Sequence, residues 1–189
     1  MLVGSEAAKA ARDVQSELYE DAMGKIRTGD IVFVTGATGM LSWLITSIGR
    51  TSFSHVGIAC WMYDLSSAKP TLFIIEAAPS GRRLVSMSHY GLKRPMTVVA
   101  SPVDWSMYSR QLLDGTGDEP YGYLDLIRIA LAEMFGIRTR DFDGEVCSEM
   151  VATVLNEAGF PIDDTPSPGQ LYRTLIERGC VIRLTTSPK

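Results

Sequence analysis

Asp143-Gly144-Glu145-Val146-Cys147-Ser148-Glu149-Met150-Val151 is the stretch on which the reading of this chain turns. A cysteine follows a glycine-containing turn and opens a run in which Val146, Met150, Val151, Val154 and Leu155 recur at helical spacing, until Gly159 supplies a stop. The spacing predicts a helix with Cys147 in its first turn. Backbone N–H groups there have no intrahelical acceptor and the positive end of the helix dipole favours an anion, so a thiol in that place ionises more easily than a free one. It is a position for a nucleophile. It is also a position for core, because Cys147, Val151, Val154 and Ala158 form one helical stripe and free cysteine is among the most buried residue types. The side chains that the rest of the chain brings to Cys147 decide between the two.

Two upstream segments supply candidates. Phe53-Ser54-His55-Val56-Gly57-Ile58-Ala59-Cys60-Trp61-Met62 alternates and is flanked by turn residues, which predicts a strand with His55 at its start. On a period of two, His55, Gly57 and Ala59 share one face, and Val56, Ile58 and Cys60 share the other. The histidine face is lined by small residues, which leaves room for another group to approach, while Cys60 reads as core. Leu72-Phe73-Ile74-Ile75-Glu76 predicts the next strand, apolar up to a closing carboxylate that needs a partner if the strand is central. The chain has two histidines, and His89, the second, falls in a loop that reads as surface. Cys147, His55 and Glu76 are thus a nucleophile, a base that moves its proton, and an acid suited to fixing the tautomer of the imidazole.

Around these lie segments with plainer readings. Ser5 to Ala22 carries Ala7, Ala11, Val14, Leu18 and Ala22 at helical spacing, an amphipathic helix that packs on the domain or mediates self-association. Thr28-Gly29-Asp30 turns into Ile31-Val32-Phe33-Val34, a buried strand. The glycines after it, Gly36 and Gly39, have the look of a phosphate-binding loop. A dinucleotide fingerprint, however, wants a small third residue where Ser42 stands and an acidic residue earlier than Asp64, so a nucleotide site is a remote alternative to a plain loop. Met40 to Ile48 is apolar and reads as core or as a lid beside a cleft. Arg82 to Met87 and Met96 to Ser101 are expected strands, Val103 to Leu113 and Tyr121 to Phe135 expected helices. Ser167 and Pro168 open a helix that stops at Gly179, before a last strand over Cys180 to Leu184.

Composition bounds the function. With 189 residues, 46% hydrophobic and 21% charged, the chain suffices for one packed domain, expected over residues 28–189, with the amphipathic helix of residues 1–27 as an appendage. No apolar run is long enough to cross a bilayer, and the charges within Met1 to Gly24 leave no export segment in view, so cytoplasmic residence is the default expectation. Three cysteines, Cys60, Cys147 and Cys180, are an odd, sparse set with no CxxC pair for zinc. A net charge of −4 without a Lys/Arg cluster supplies no electrostatic footprint for nucleic acid or an anionic membrane.

The order of the motifs carries a resemblance. Gly29-Asp30-Ile31-Val32-Phe33, then Ser54-His55-Val56-Gly57-Ile58, then Glu76 after an apolar strand, Pro120-Tyr121-Gly122-Tyr123, and Val146-Cys147-Ser148-Glu149-Met150-Val151 together resemble the circularly permuted NlpC-like, papain-fold cysteine hydrolases, whose relatives include lecithin retinol acyltransferase-like proteins. In that group the histidine and the third polar residue precede the cysteine, as here, and the likeness spans roughly Thr28 to Tyr172. It implies an α+β fold, an antiparallel sheet packed against helices. It also implies Cys147 as nucleophile, His55 as general base and acid, Glu76 as the group orienting His55, and Tyr121, with Tyr123 as the fallback, near the oxyanion. The implied chemistry is acyl transfer through a thioester, on a cell-wall peptide, peptidoglycan fragment or lipid-like acyl group, with neither metal nor organic cofactor. A catalytically inert binding or scaffold module of the same fold is the alternative.

Overall fold

The computed structural model describes residues 20–36, 52–65, 68–78, 81–90, 94–105, 147–163 and 166–186. Six strands make one sheet: β1 (Ile31–Thr35), β2 (Phe53–Asp64), β3 (Lys69–Ala78), β4 (Gly81–Ser86), β5 (Met96–Val99) and β6 (Ile182–Thr185). Among the described residues, α1 (Met87–Tyr90), α2 (Cys147–Glu157) and α3 (Pro168–Glu177) accompany them. The spatial order is β4-β3-β2-β1-β5-β6, and every neighbouring pair is antiparallel. The fold is therefore α+β.

Why β1 is the apolar run it is follows from its place at the centre. Ile31 and Phe33 face α2 and α3, in a core with Ile58, Ile75, Met150, Val151, Leu155, Leu171 and Leu175. Val32 and Val34 face the other way, in a second core with Ile74, Met87, Met96 and Val98. Residues 20–24 are helical, and Met23 within them and Ile26 just after them belong to that second core, at the C-terminal end of the segment expected as an appendage; residues 1–19 lie outside the described residues. A strand buried on both faces needs side chains that are apolar without alternation.

Asp30 ties the start of β1 to the far edge of the sheet. It is 1% exposed and accepts from the backbone N–H groups of Arg27 and Ser101, at 2.8 and 3.1 Å, while Arg183 on β6 pairs with it at 2.8 Å. The turn before it must be glycine. Gly29 has φ +90°, and a Cβ there would fall 1.6 Å from Cδ1 of Trp105, whose indole N–H donates to Ser101 Oγ.

The helices begin where the pattern placed them. Ser167 caps α3 with a full capping box, its hydroxyl accepting from the Gln170 N–H and the Gln170 side chain accepting from the Ser167 N–H. The expected loop around His89 differs: it holds a one-turn helix, α1, whose Met87 and Tyr90 are buried while His89 itself is exposed. Most of the helices expected over Ser5 to Ala22 and Val103 to Leu113, all of the one over Tyr121 to Phe135, and the apolar segment Met40 to Ile48 lie outside the described residues. Among the described residues no helix is long and apolar enough to cross a membrane.

Candidate active site

The sheet opens at one place, and the candidate residues meet there. β2 and β3 pair from Asp64 with Lys69 as far as Ile58 with Ile75. Beyond that pair β2 continues on β1, with Val56 opposite Phe33 and His55 opposite Val34, while β3 continues on β4, with Glu76 opposite Arg83. Gly57 stands at the fork. A Cβ on it would meet Ile74 Cγ2 at 2.4 Å and the Ile75 carbonyl oxygen at 2.7 Å. The space beside Gly57 on the histidine face is thus filled by β3, not left open for an approaching group. A bulge precedes His55: Val34 pairs with His55 but Thr35 with Phe53, and the hydroxyl of the extra residue, Ser54, donates to the carbonyls of Val34 and Gly36. Bulges of this kind re-aim the neighbouring side chain.

Across the fork His55 Nε2 donates to Glu76 Oε2 at 2.7 Å. The imidazole side chain is 22% exposed and the carboxylate 1%. Cys147, the first residue of α2 and 8% exposed, lies in hydrogen-bonding reach of the same imidazole. Since Glu76 holds Nε2, Nδ1 is the nitrogen left for the thiol. The backbone N–H groups of Val56 and of Ser148, in the first turn of the helix, also favour the thiolate.

The charges are mutually supported. Burial pushes the Cys147 thiol up, but the His55 charge, its hydrogen bond and the two backbone donors outweigh it, leaving the pKa below that of a free thiol. Burial likewise opposes an imidazolium, yet the Cys147 sulfur and then Glu76 push His55 up from 6.5 to about 10. For Glu76, burial raises the carboxyl, and His55, Tyr90 and Arg83 together bring it down to about 2. Each of these shifts favours the charged form of its group: the thiolate, the imidazolium and the carboxylate. Cys60 and Cys180 go the other way, pushed up by burial.

Two partners of Glu76 were not anticipated. Arg83 gives Nε and one terminal N–H to Glu76 Oε1, at 2.9 and 2.7 Å, and the Tyr90 hydroxyl donates to Oε2. Arg83 was legible in principle: a two-residue connection between Ala78 and Gly81 sets Glu76 opposite residue 83. Tyr90 carried no signal, because a single helical turn has no periodicity to read. His89 lies off the site, its ring edge-on to Tyr90 at 5.8 Å. Tyr121, Tyr123 and Gly39 lie outside the described residues; Gly36 closes β1 with its carbonyl engaged by Ser54. Among the described residues no group of three His, Cys, Asp or Glu side chains is arranged to hold a metal ion.

No protein-family model matches the chain, and no curated protein matches it. Among solved structures it is similar to the crystal structure of metalloprotein yiiX from Escherichia coli O157:H7, at 20% identity over 87% of this chain and 88% of that one, with a TM-score of 0.42. At that level the likeness bears on neither residue roles nor chemistry.

Proposed function

We propose that this protein is a cysteine-dependent hydrolase or acyltransferase of amide or ester bonds, built on a circularly permuted papain-like domain. The observation that carries the reading is the Cys147–His55–Glu76 relay: a helix-start thiol lowered by an imidazolium whose far nitrogen is held by a buried carboxylate. The thiolate attacks the carbonyl carbon of the substrate, and the developing oxyanion turns toward the open N–H groups at the start of α2, with Tyr121 as the expected hydroxyl beside it. The His55 imidazolium then gives its Nδ1 proton to the departing amine or alkoxide. This leaves an acyl thioester on Cys147 and a neutral imidazole. Water or an acceptor alcohol or amine next gives its proton to His55 as it attacks, and the thiolate departs. Cell-wall peptides and lipid acyl groups are the substrate classes in play.

Alkylation by iodoacetamide, with the modified cysteine mapped, tests the relay. At about pH 6 Cys147 is expected to react at least about tenfold faster than Cys180. His55→Ala removes the advantage and His89→Ala keeps it. An ordinary thiol profile for Cys147, or equal behaviour of the two histidine variants, sinks the enzyme reading in favour of an inert module whose cysteine is core, for which its 8% exposure is the supporting observation. Wild type compared with Cys147→Ser on peptidoglycan fragments and on lipid esters separates the substrate classes.

A further inference from the structure

Glu76 is a carboxylate with every lone pair in use. Oε1 accepts from two N–H groups of Arg83, and Oε2 accepts from His55 Nε2 and from the Tyr90 hydroxyl. Four donors saturate the four acceptor sites of an ionised carboxyl. The distribution matters as much as the count. Arg83 spends both of its donors on one oxygen, so the other is left to His55 and Tyr90.

The donors come from three elements that reach the fork separately: His55 from β2, Arg83 from β4, where the register sets it opposite Glu76, and Tyr90 from α1. Tyr90 is 7% exposed, its ring lies nearly parallel to His55 with centroids 6.3 Å apart, and the Arg94 guanidinium sits 5.9 Å from the ring centroid. Arg83 is 54% exposed on its side chain, so it connects the charge of a buried acid to solvent. A glutamate has three side-chain torsions to fix, and a single bond to a histidine does not fix them. Two further anchors from different directions do.

We infer that Arg83 and Tyr90 are positioning residues that act through Glu76 on His55, holding the carboxylate ionised and in the one orientation that keeps the imidazole turned toward Cys147. The inference rests on the reading of His55 as the base. Among the described residues the charged and titratable groups facing Glu76 are His55, Arg83 and Tyr90, with Arg94 behind Tyr90 and Cys147 beyond His55. Without Arg83 the buried carboxylate loses the permanent countercharge that touches it among the described residues. Without the Tyr90 hydroxyl, Oε2 has a free lone pair and the His55 bond a second geometry to adopt.

Arg83→Met, Arg83→Lys and Tyr90→Phe test this by two readouts. In the first, alkylation of Cys147 at about pH 6 is expected to slow about tenfold in Arg83→Met and about threefold in Tyr90→Phe, with Arg83→Lys in between because it restores the charge but only a point donor. At about pH 9, where a thiol ionises unaided, the rates converge with wild type.

The second readout does not depend on a reactive thiol. The chain has two histidines, so spectra of the protein with nitrogen-labelled histidine resolve the His55 ring. The Nε2–H signal held by Glu76 is expected to weaken and His55 to titrate at lower pH in Arg83→Met and Tyr90→Phe. Circular dichroism establishes that the variants are folded, and Tyr90→Phe keeps its ring and shape. Folded variants with an unchanged ratio of rates and an unchanged His55 signal overturn the inference. If wild-type Cys147 has an ordinary thiol profile, the enzyme reading fails while the His55 signal still decides whether Arg83 and Tyr90 set the ring.

Discussion

Gly57 is where one residue decides the site. Its missing side chain leaves room for Ile74 Cγ2 and the Ile75 carbonyl oxygen beside the last β2–β3 pair, Ile58 with Ile75, beyond which Glu76 meets His55. Gly57→Ala is expected to cost about 2 kcal/mol, since the new methyl meets a carbonyl oxygen that cannot rotate away. It should also slow Cys147 alkylation at about pH 6 more than that destabilisation explains. A thermal melt beside the alkylation rate checks both, and an unchanged rate would remove Gly57 from any role in the fork. At this scale the sequence was informative about kinds and silent about contacts. It showed a helix-start cysteine, a strand-start histidine and a buried acid in need of a partner. It marked the small residues at 57 and 59 as well, but not that a backbone would fill the space. Tyr90 was invisible because nothing in a lone aromatic after a strand says which way one turn of helix will carry it.

At the scale of elements the pattern was most legible, because periodicity and caps are local. α2 starts at Cys147 and α3 follows the Ser167 cap, as spacing and cap residues imply. Ser167→Ala breaks the reciprocal box and is expected to cost about 1 kcal/mol in urea unfolding. The alkylation rate of Cys147 should stay at its wild-type value, because α3 supports the core and gives no side chain to the relay. A loss of reactivity with that variant would show that α3 helps to set the sulfur. What local reading missed is register. The Ser54 bulge and the pairing of Glu76 with Arg83 are properties of two strands at once, and neither strand announces them alone.

For the whole molecule the long-range clamp on Asp30 is the counterpart of the Cys147–His55–Glu76 cluster. Its carboxylate joins the turn before β1, the segment after β5 and Arg183 on β6, residues that are 153 positions apart in sequence at the extreme. Asp30→Ala strands the Arg183 guanidinium and two backbone N–H groups, for an expected loss of about 3 kcal/mol in a urea melt. A loss under about 1 kcal/mol would mean that water replaces the acid without strain. By itself the sequence determined the central apolar strand, the helix starts and the candidate residue types Cys147, His55 and Glu76, since each of these follows from side chains within a few positions of one another, while the α+β class was what the order of the motifs implied through the resemblance. Only the tertiary structure decided that the sheet forks at Gly57, that Arg83 and Tyr90 fill the remaining lone pairs of Glu76, and that the cysteine helix meets the histidine strand at the fork. Those facts depend on the relative placement of segments whose ends are tens of residues apart, and no local propensity encodes a distance between them.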